Sequence, residues 1–402
     1  MKFAHTTPYF HPEYYGSHEA FLSAELVARG HQVTIFTSDR MPRWGGAKGL
    51  EEKLEVGTSE WRGVRIVRMP AGPTVSFVPS MPALAGHLRQ EQYDLFLSHE
   101  VFSLAAWHTA RVAQKADRPF VLVQHGYTGG RRPLFKLLFS LEFQALGRRV
   151  LEAADRVVTL TEAGRTFLEG LGADTMRCEV IPTGVESGRF TPMPKRANGN
   201  LRFGYLGRID ADKGVFALLD AFRRSLRTLG PSTNRLIFAG AGDDEADLQQ
   251  QVQRWGLSDH VEFAGRLAHA SVPAFLQSLD ALVIPTLQSE PFGIVAVEAG
   301  AAGIPVLASR LGGLAETVVN GVTGRLFEPG NVVELSDLLT DATRNSYALP
   351  NLGQAARQHI VAGYDWQNVT GRFEELFASL VDGGLDSTED TRFPQGLPKQ
   401  AI

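Results

Sequence analysis

The sequence predicts an α/β fold made of two doubly wound, Rossmann-like halves, each a mostly parallel sheet covered by helices. Three observations predict it. From Lys2 to Ile181, short apolar runs alternate with amphipathic stretches of helical period. A segment rich in Gly, Pro and polar residues, Thr183 to Asn200, then interrupts the alternation and reads as a linker. The alternation restarts at Leu201 and continues to Phe327. Two cores joined by one linker account for all three.

The strand-like runs of the first half are Lys2–Thr6, Gln32–Thr37, Val64–Arg68, Leu95–Ser98, Phe120–Gln124, Arg156–Thr159 and Glu179–Ile181. The first of these lacks the apolar core of a signal peptide and reads as a strand. Pro133 to Leu151 holds many Leu and Phe residues with Arg131, Arg132, Lys136, Arg148 and Arg149 around them. Two readings stay open for residues 131–151: a surface for a membrane or lipid acceptor, or a helix packed in the first domain. Its apolar residues ring most of the helix, which favours packing. In the second half the runs are Leu201–Tyr205, Leu236–Ala239, Val261–Ala264, Ala281–Ile284, Val306–Ala308 and Gly324–Phe327. Pro285 ends the fourth of them, and Phe292 to Ala302 reads as a helix. Leu352 to Val381 reads as helical, with Trp366 and Phe373 as apolar anchors. From Asp382 the chain turns polar and Gly/Pro-rich, so residues 382–402 read as a disordered tail.

A chain of 402 residues, 44% of them apolar, can bury two or three domain cores. Its 41 glycines cluster at strand ends, as α/β turns require. A net charge of −4 without any basic block argues against nucleic acid as the main partner. Cys178 is the single cysteine, which rules out an intramolecular disulfide and suits a reducing cytoplasm. No run reaches the apolar length of a membrane span. The expectation is a cytoplasmic protein, soluble or peripheral at the inner face of the membrane.

Several residues stand out as chemistry. Glu290 and Glu298 interrupt one of the most apolar runs in the chain. Carboxylates there are costly unless they bind something; the plainer alternative is a helix N-terminal charge and a satisfied buried acid. Glu290 falls in a strand-to-helix loop, and Glu298 about two turns into the helix. In a doubly wound domain that loop edge is where ligands bind. Arg208 and Lys213 follow the first strand of the second half, where a planar fork of donors and a point charge both suit phosphate oxygens. The alternative is two surface cations at a helix start. Between them, Asp210-Ala211-Asp212 has the spacing of a metal-binding triplet, but it reads as a turn with Asp212 capping the next helix. Gly16 lies in a loop before the first helix, where backbone amides can approach an anion, and Ser17 reads as that helix's N-cap. His125 and His99 each follow a strand. No G-x-G-x-x-G follows a first strand in either half, which argues against a dinucleotide dehydrogenase.

The block Glu290-Pro291-Phe292-Gly293-Ile294-Val295-Ala296-Val297-Glu298 resembles the E-x7-E motif of retaining glycosyltransferases with the GT-B fold, in particular glycosyltransferase family 4. Further matches occur in the family's order. Pro8 to Thr37 resembles its glycine loop, helix and second strand, with Gly16-Ser17 where the family usually has Gly-Gly. Gly184-Val185-Glu186 through Phe190 and Pro192 resembles its linker. Gly207-Arg208 and Lys213-Gly214 resemble its phosphate segment. Ser309 to Glu316 and Gly321-Val322-Thr323-Gly324 resemble its late loops. Together the motifs are far more specific than any one of them.

The resemblance implies a central cleft between two domains. Residues 1–185 would form an acceptor domain, 186–200 a linker and 201–366 a donor domain, with 367–381 crossing back onto the first domain. It implies that Arg208 and Lys213 hold the leaving diphosphate, Glu298 the donor ribose and Glu290 the transferred sugar. Phe292, Gly293 and Ile294 would offer helix N-terminal amides, Arg266 and Leu267 would border the base, and His125 would face the donor sugar. The activity implied is retaining, metal-independent hexosyl transfer in bacterial glycan or glycolipid biosynthesis. The donor would be UDP- or GDP-linked, with no further cofactor, and the acceptor a glycan, a lipid-linked group or a small molecule. The rivals are a phosphorylase or nucleotide-sugar hydrolase on the same scaffold, and a non-catalytic sugar-nucleotide-binding subunit. The presence of Arg208, Lys213 and Glu298 argues against the last.

Overall fold

A computed structural model of the chain describes residues 1–12, 17–42, 51–75, 78–126, 143–193 and 200–383. The first half is built on β1 (Lys2–Thr6), β2 (Gln32–Ser38), β3 (Gly57–Trp61), β4 (Val64–Met69), β5 (Leu95–His99), β6 (Phe120–Gln124), β7 (Arg156–Thr159) and β8 (Cys178–Val180). They form one eight-stranded sheet in the order β8-β7-β6-β5-β1-β2-β4-β3. Neighbours run parallel except β3, which pairs antiparallel with β4 at the edge. Sequence reading passed over β3 because Gly57-Thr58-Ser59-Glu60-Trp61 is a polar, mostly exposed strand with no apolar run. Two short hairpins, Arg40–Pro42 with Glu51–Lys53 and Thr74–Val75 with Val78–Pro79, lie outside this sheet.

The second half contains β9 (Arg202–Leu206), β10 (Arg235–Ala239), β11 (Val261–Gly265), β12 (Ala281–Ile284), β13 (Val306–Ser309) and β14 (Gly324–Phe327). These form an all-parallel sheet in the order β11-β10-β9-β12-β13-β14. Helices on both faces make the central strands apolar on both sides, so they read as unbroken hydrophobic runs. Phe120–Gln124 and Val306–Ser309 are buried throughout. The strand order reverses between β1 and β5 in the first sheet and between β9 and β12 in the second. Ligands of such sheets bind beyond the carboxyl ends of the strands at that reversal.

Two helical expectations change. Leu352 to Val381 is not one helical stretch but two helices, Leu349–Tyr364 and Trp366–Val381, broken at Asp365. The linker makes the break. Val185 N–H donates to the Tyr364 carbonyl (2.8 Å), and Trp366 N–H donates to the Val185 carbonyl (3.2 Å). Asp365 then caps the second helix by accepting the Gln367 N–H at 2.9 Å. That helix lies on the first half: Phe373 and Phe377 are fully buried in the core that contains Phe3, and Glu374 bonds Arg29 (2.6 Å) and His31 (2.7 Å). The helix after Pro291 begins at Ile294, two residues later than expected, because Gly293 adopts a left-handed φ of +88°. A Cβ there would also lie 2.5 Å from Leu314 Cδ2.

Phe143, Val150 and Leu151 are buried in the core of the first half, while Arg148 and Arg149 are exposed. Residues 127–142, which include most of the segment 131–151, and residues 384–402 lie outside the described residues.

Candidate active site

The reversal point of the second sheet gathers the residues singled out for a diphosphate. After β9, Tyr205 O–H donates to the Arg208 carbonyl, and burial pushes the Tyr205 phenol well above its usual range. The Arg208 guanidinium contacts the Asp210 carboxylate, which also accepts the Asp243 N–H at 3.0 Å. Asp212 does not cap the following helix Val215–Leu229. Gly214 occupies that position with φ +73°. A Cβ on Gly214 would lie 1.9 Å from the Pro285 carbonyl oxygen, so only glycine lets this turn approach the loop after β12. Across that approach Leu287 N–H donates to the Asp212 carbonyl (2.9 Å), and Lys213 Nζ contacts Glu290 Oε1. The Arg208 side chain is 52% exposed, against 24% for Lys213, so Arg208 presents the more accessible charge.

Glu298 lies just over one turn along the helix Ile294–Ala301, not two as expected, because the helix starts late, and it is almost fully buried. His269 Nε2 stands 3.6 Å from its Oε1. His269 opens the turn after β11, immediately beyond Arg266, which is exposed, and Leu267, which is partly buried. Phe292 departs from expectation. It precedes the helix, its ring is buried against Tyr364 at a centroid distance of 5.9 Å, and the first-turn amides belong to Ile294 and Val295.

At the reversal point of the first sheet, β1, β5 and β6 deliver three imidazoles in a row. His99 Nδ1 lies 2.6 Å from His125 Nε2, with the rings stacked at 4.8 Å. His99 Nε2 bonds His5 Nε2, and His5 Nδ1 lies 2.8 Å from Ser23 Oγ. His18 stands edge-on to His125 at 5.0 Å and bonds Thr183 Oγ1 at 3.1 Å. Glu19 Oε1 is 3.9 Å from His99 Nδ1 and 4.0 Å from His125 Nε2. Burial, with neighbouring histidines adding to it, holds His5 down to about 3 and His18 and His99 well below the usual imidazole range. These three rings are therefore neutral at pH 7. Glu100, at the end of β5 with φ +64°, is pushed up by burial and accepts from Gln124 Nε2 at 2.6 Å.

The two halves touch at the rim. Glu316 accepts the N–H groups of Glu162 (2.8 Å) and Ala163 (3.0 Å), which begin the helix Glu162–Gly170 of the first half. Thr161, that helix's N-cap, donates its hydroxyl to the Pro291 carbonyl at 3.1 Å.

Comparison with known proteins bears on the family and the fold. Residues 17–189 match Glycosyltransferase Family 4, and residues 192–359 match Glycosyl transferases group 1. D-inositol 3-phosphate glycosyltransferase of Kineococcus radiotolerans is 30% identical, over 75% of this chain and 74% of its own. The chain belongs to glycosyltransferase family 4. Glycogen synthase of Mycobacterium tuberculosis is 28% identical to this glycosyltransferase, over 92% of this chain and 91% of its own. The sucrose-phosphate synthase of Thermosynechococcus elongatus superposes with a TM-score of 0.76 at 22% identity, covering 95% of this chain and all of that one. The fold is GT-B.

In this glycosyltransferase the structure brings Lys213 to Glu290 and His125 to His99, and it sets Glu298 at the foot of the Arg266 loop. Gly16 lies outside the described residues, and Ser17 caps the helix His18–Ala28 by accepting the Ala20 N–H at 3.3 Å. Sequence reasoning missed His5, His18, Glu19, His269 and Glu316. Only His5 carried a signal of the kind that exposed the glutamates: a titratable group inside a buried strand.

Proposed function

We propose that this glycosyltransferase moves a hexosyl group from a UDP- or GDP-linked donor to an acceptor hydroxyl with retention of configuration and without a metal ion. The observation that carries this reading is the joining of two loops by Lys213 and Glu290 at the reversal point of the second sheet, with Arg208 on the first of those loops and the buried Glu298 on the helix that follows the second. That arrangement offers positive charge for a diphosphate and a buried carboxylate for ribose hydroxyls.

In the proposed reaction the bond between the anomeric carbon and the diphosphate breaks, and its electron pair leaves on the phosphate oxygen. Arg208 and Lys213 stabilise that charge as it develops. Glu290 gives up Lys213 to the phosphate and meets the sugar, and His125 faces the sugar from the other sheet. The acceptor oxygen attacks the oxocarbenium-like centre from the face the diphosphate left, and its proton passes to the departing phosphate oxygen. The acceptor is a glycan, a lipid-linked group or a small molecule, met in the cytoplasm or at the inner face of the membrane. Among the described residues no helix is long and apolar enough to cross a membrane.

A thermal-shift screen of nucleotide sugars, with free nucleotides as controls, identifies the donor. Proton NMR of the product then reads its anomeric configuration. An inverted product overturns the mechanism. Sugar release that proceeds equally fast without an acceptor overturns transfer in favour of hydrolysis.

A further inference from the structure

The His5–His99–His125 row has a second capacity. His5 Nδ1 is hydrogen-bonded to Ser23 Oγ and its Nε2 to His99 Nε2, which leaves His99 Nδ1 facing His125 Nε2 at 2.6 Å. The Glu19 carboxylate completes a triangle with those two nitrogens, all three donor atoms lying within 4.8 Å of one another. Donors around a tetrahedral Zn2+ stand about 3.3 Å apart, given bonds of about 2.0–2.1 Å. The Glu19 oxygen is 3.9 and 4.0 Å from the two nitrogens, and the nitrogens are 2.6 Å from each other, the separation a shared proton produces. Exchanging that proton for a cation needs shifts of well under an ångström.

We propose that Glu19, His99 and His125 form a tridentate site for a divalent cation of borderline softness, Zn2+ above all, with its fourth position open to the cleft. Two imidazoles and one carboxylate are a ligand set that suits zinc and leaves a coordination position free. His99, fixed through its other nitrogen by His5 and Ser23, has the outer support that orients a metal-bound histidine. The cation enters from the cleft side, because the side chains of His125 and Glu19 are 25% and 18% exposed while that of His99 is 2% exposed. A cation here engages the nitrogen of His125 and inhibits transfer. The binding stands on this geometry alone; the inhibition rests on the proposed placement of His125 beside the donor sugar.

The full chain, treated with chelator and dialysed, is titrated with ZnCl2 by calorimetry and with CoCl2 by visible absorption. One ion should bind per chain, with the intense absorption of a tetrahedral cobalt centre. Glu19→Gln and His99→Gln should each weaken Zn2+ binding by at least ~10-fold. Glu19 is partly exposed, so its variant keeps the test open if the buried His99 variant fails to fold. A retained thermal shift with nucleoside diphosphate checks each fold. Absence of one-to-one binding, or an affinity unchanged in Glu19→Gln, overturns the site. In the transfer assay Zn2+ should inhibit the unsubstituted chain and inhibit Glu19→Gln at least ~10-fold less effectively. One-to-one binding through these residues without inhibition upholds the site and overturns instead the placement of His125 beside the sugar.

Discussion

Lys213 contacts Glu290, and under the proposed function this contact couples donor binding to catalysis. In the proposed reaction the donor diphosphate competes with Glu290 for the ammonium, and the carboxylate turns to the sugar hydroxyls. Arg208→Ala and Lys213→Ala should each lower kcat by ~10²-fold or more, as loss of a preorganised charge stabiliser does; near-normal turnover in either would sink the assignment. The two glutamates separate by calorimetric titration. Glu298→Ala should weaken nucleoside diphosphate binding by ~1.5–3 kcal/mol, the range for hydrogen bonds to a charged group. Glu290→Ala should leave it unchanged or tighten it, because Lys213 is released, while sugar transfer falls. The reverse pattern would exchange their roles. These four residues were legible because each breaks a local rule: acids inside an apolar run, cations in a glycine turn after a strand. His18, Glu19 and His269 were not, since each lies on a different segment from its partner and only the folded chain brings them within reach.

At the scale of elements, β1 and β5 carry a pH dependence. His5 and His99 titrate far below their unfolded value, so below about pH 6.5 the unfolded chain binds more protons and stability rises with pH. Their contribution is fully present above about pH 6.5 and is lost as the pH falls toward about 3, the value to which His5 is held. Glu100 and Glu179 act in the opposite sense, but their window opens near the ordinary carboxylate value and upward, and they are two groups against five counting His18, His108 and His359. The melting temperature should therefore fall between neutral pH and about pH 5; a flat or rising profile would contradict the neutral rings. The cap that Glu316 places on the helix Glu162–Gly170 spans the two halves. Glu316→Ala should cost about 0.5–2 kcal/mol in denaturant unfolding, as loss of a capping oxygen does. Several strands, among them Lys2–Thr6, Phe120–Gln124 and Ala281–Ile284, were legible to the residue because burial on both faces writes them as continuous apolar runs. The break at Asp365 was not. It depends on Val185, far away in sequence, pairing across the gap between two helices.

For the whole molecule, two doubly wound sheets, each with its own reversal point, divide the labour. Under the proposed function the second supplies cations for a leaving diphosphate, while the first gathers neutral imidazoles. This division bears on whether a metal is needed. The Asp210-Ala211-Asp212 triplet has metal-binding spacing, yet Asp210 is engaged by the Arg208 guanidinium and the Asp243 N–H, and Asp212 Oδ2 lies 4.0 Å from Arg208 Nη2. A cation placed between these aspartates would have to displace Arg208, the group proposed to meet the phosphate, and would exchange one positive charge for another. In the proposed reaction Arg208, Lys213 and the first-turn amides of the helix Ile294–Ala301 supply the positive charge the departing diphosphate needs. Transfer should therefore keep most of its rate after dialysis against excess chelator. If trace Zn2+ is held by Glu19, His99 and His125, chelation should raise the rate. Activity that vanishes with chelator and returns only with Mg2+ or Mn2+ would mean that the triplet, not the arginine beside it, carries the diphosphate.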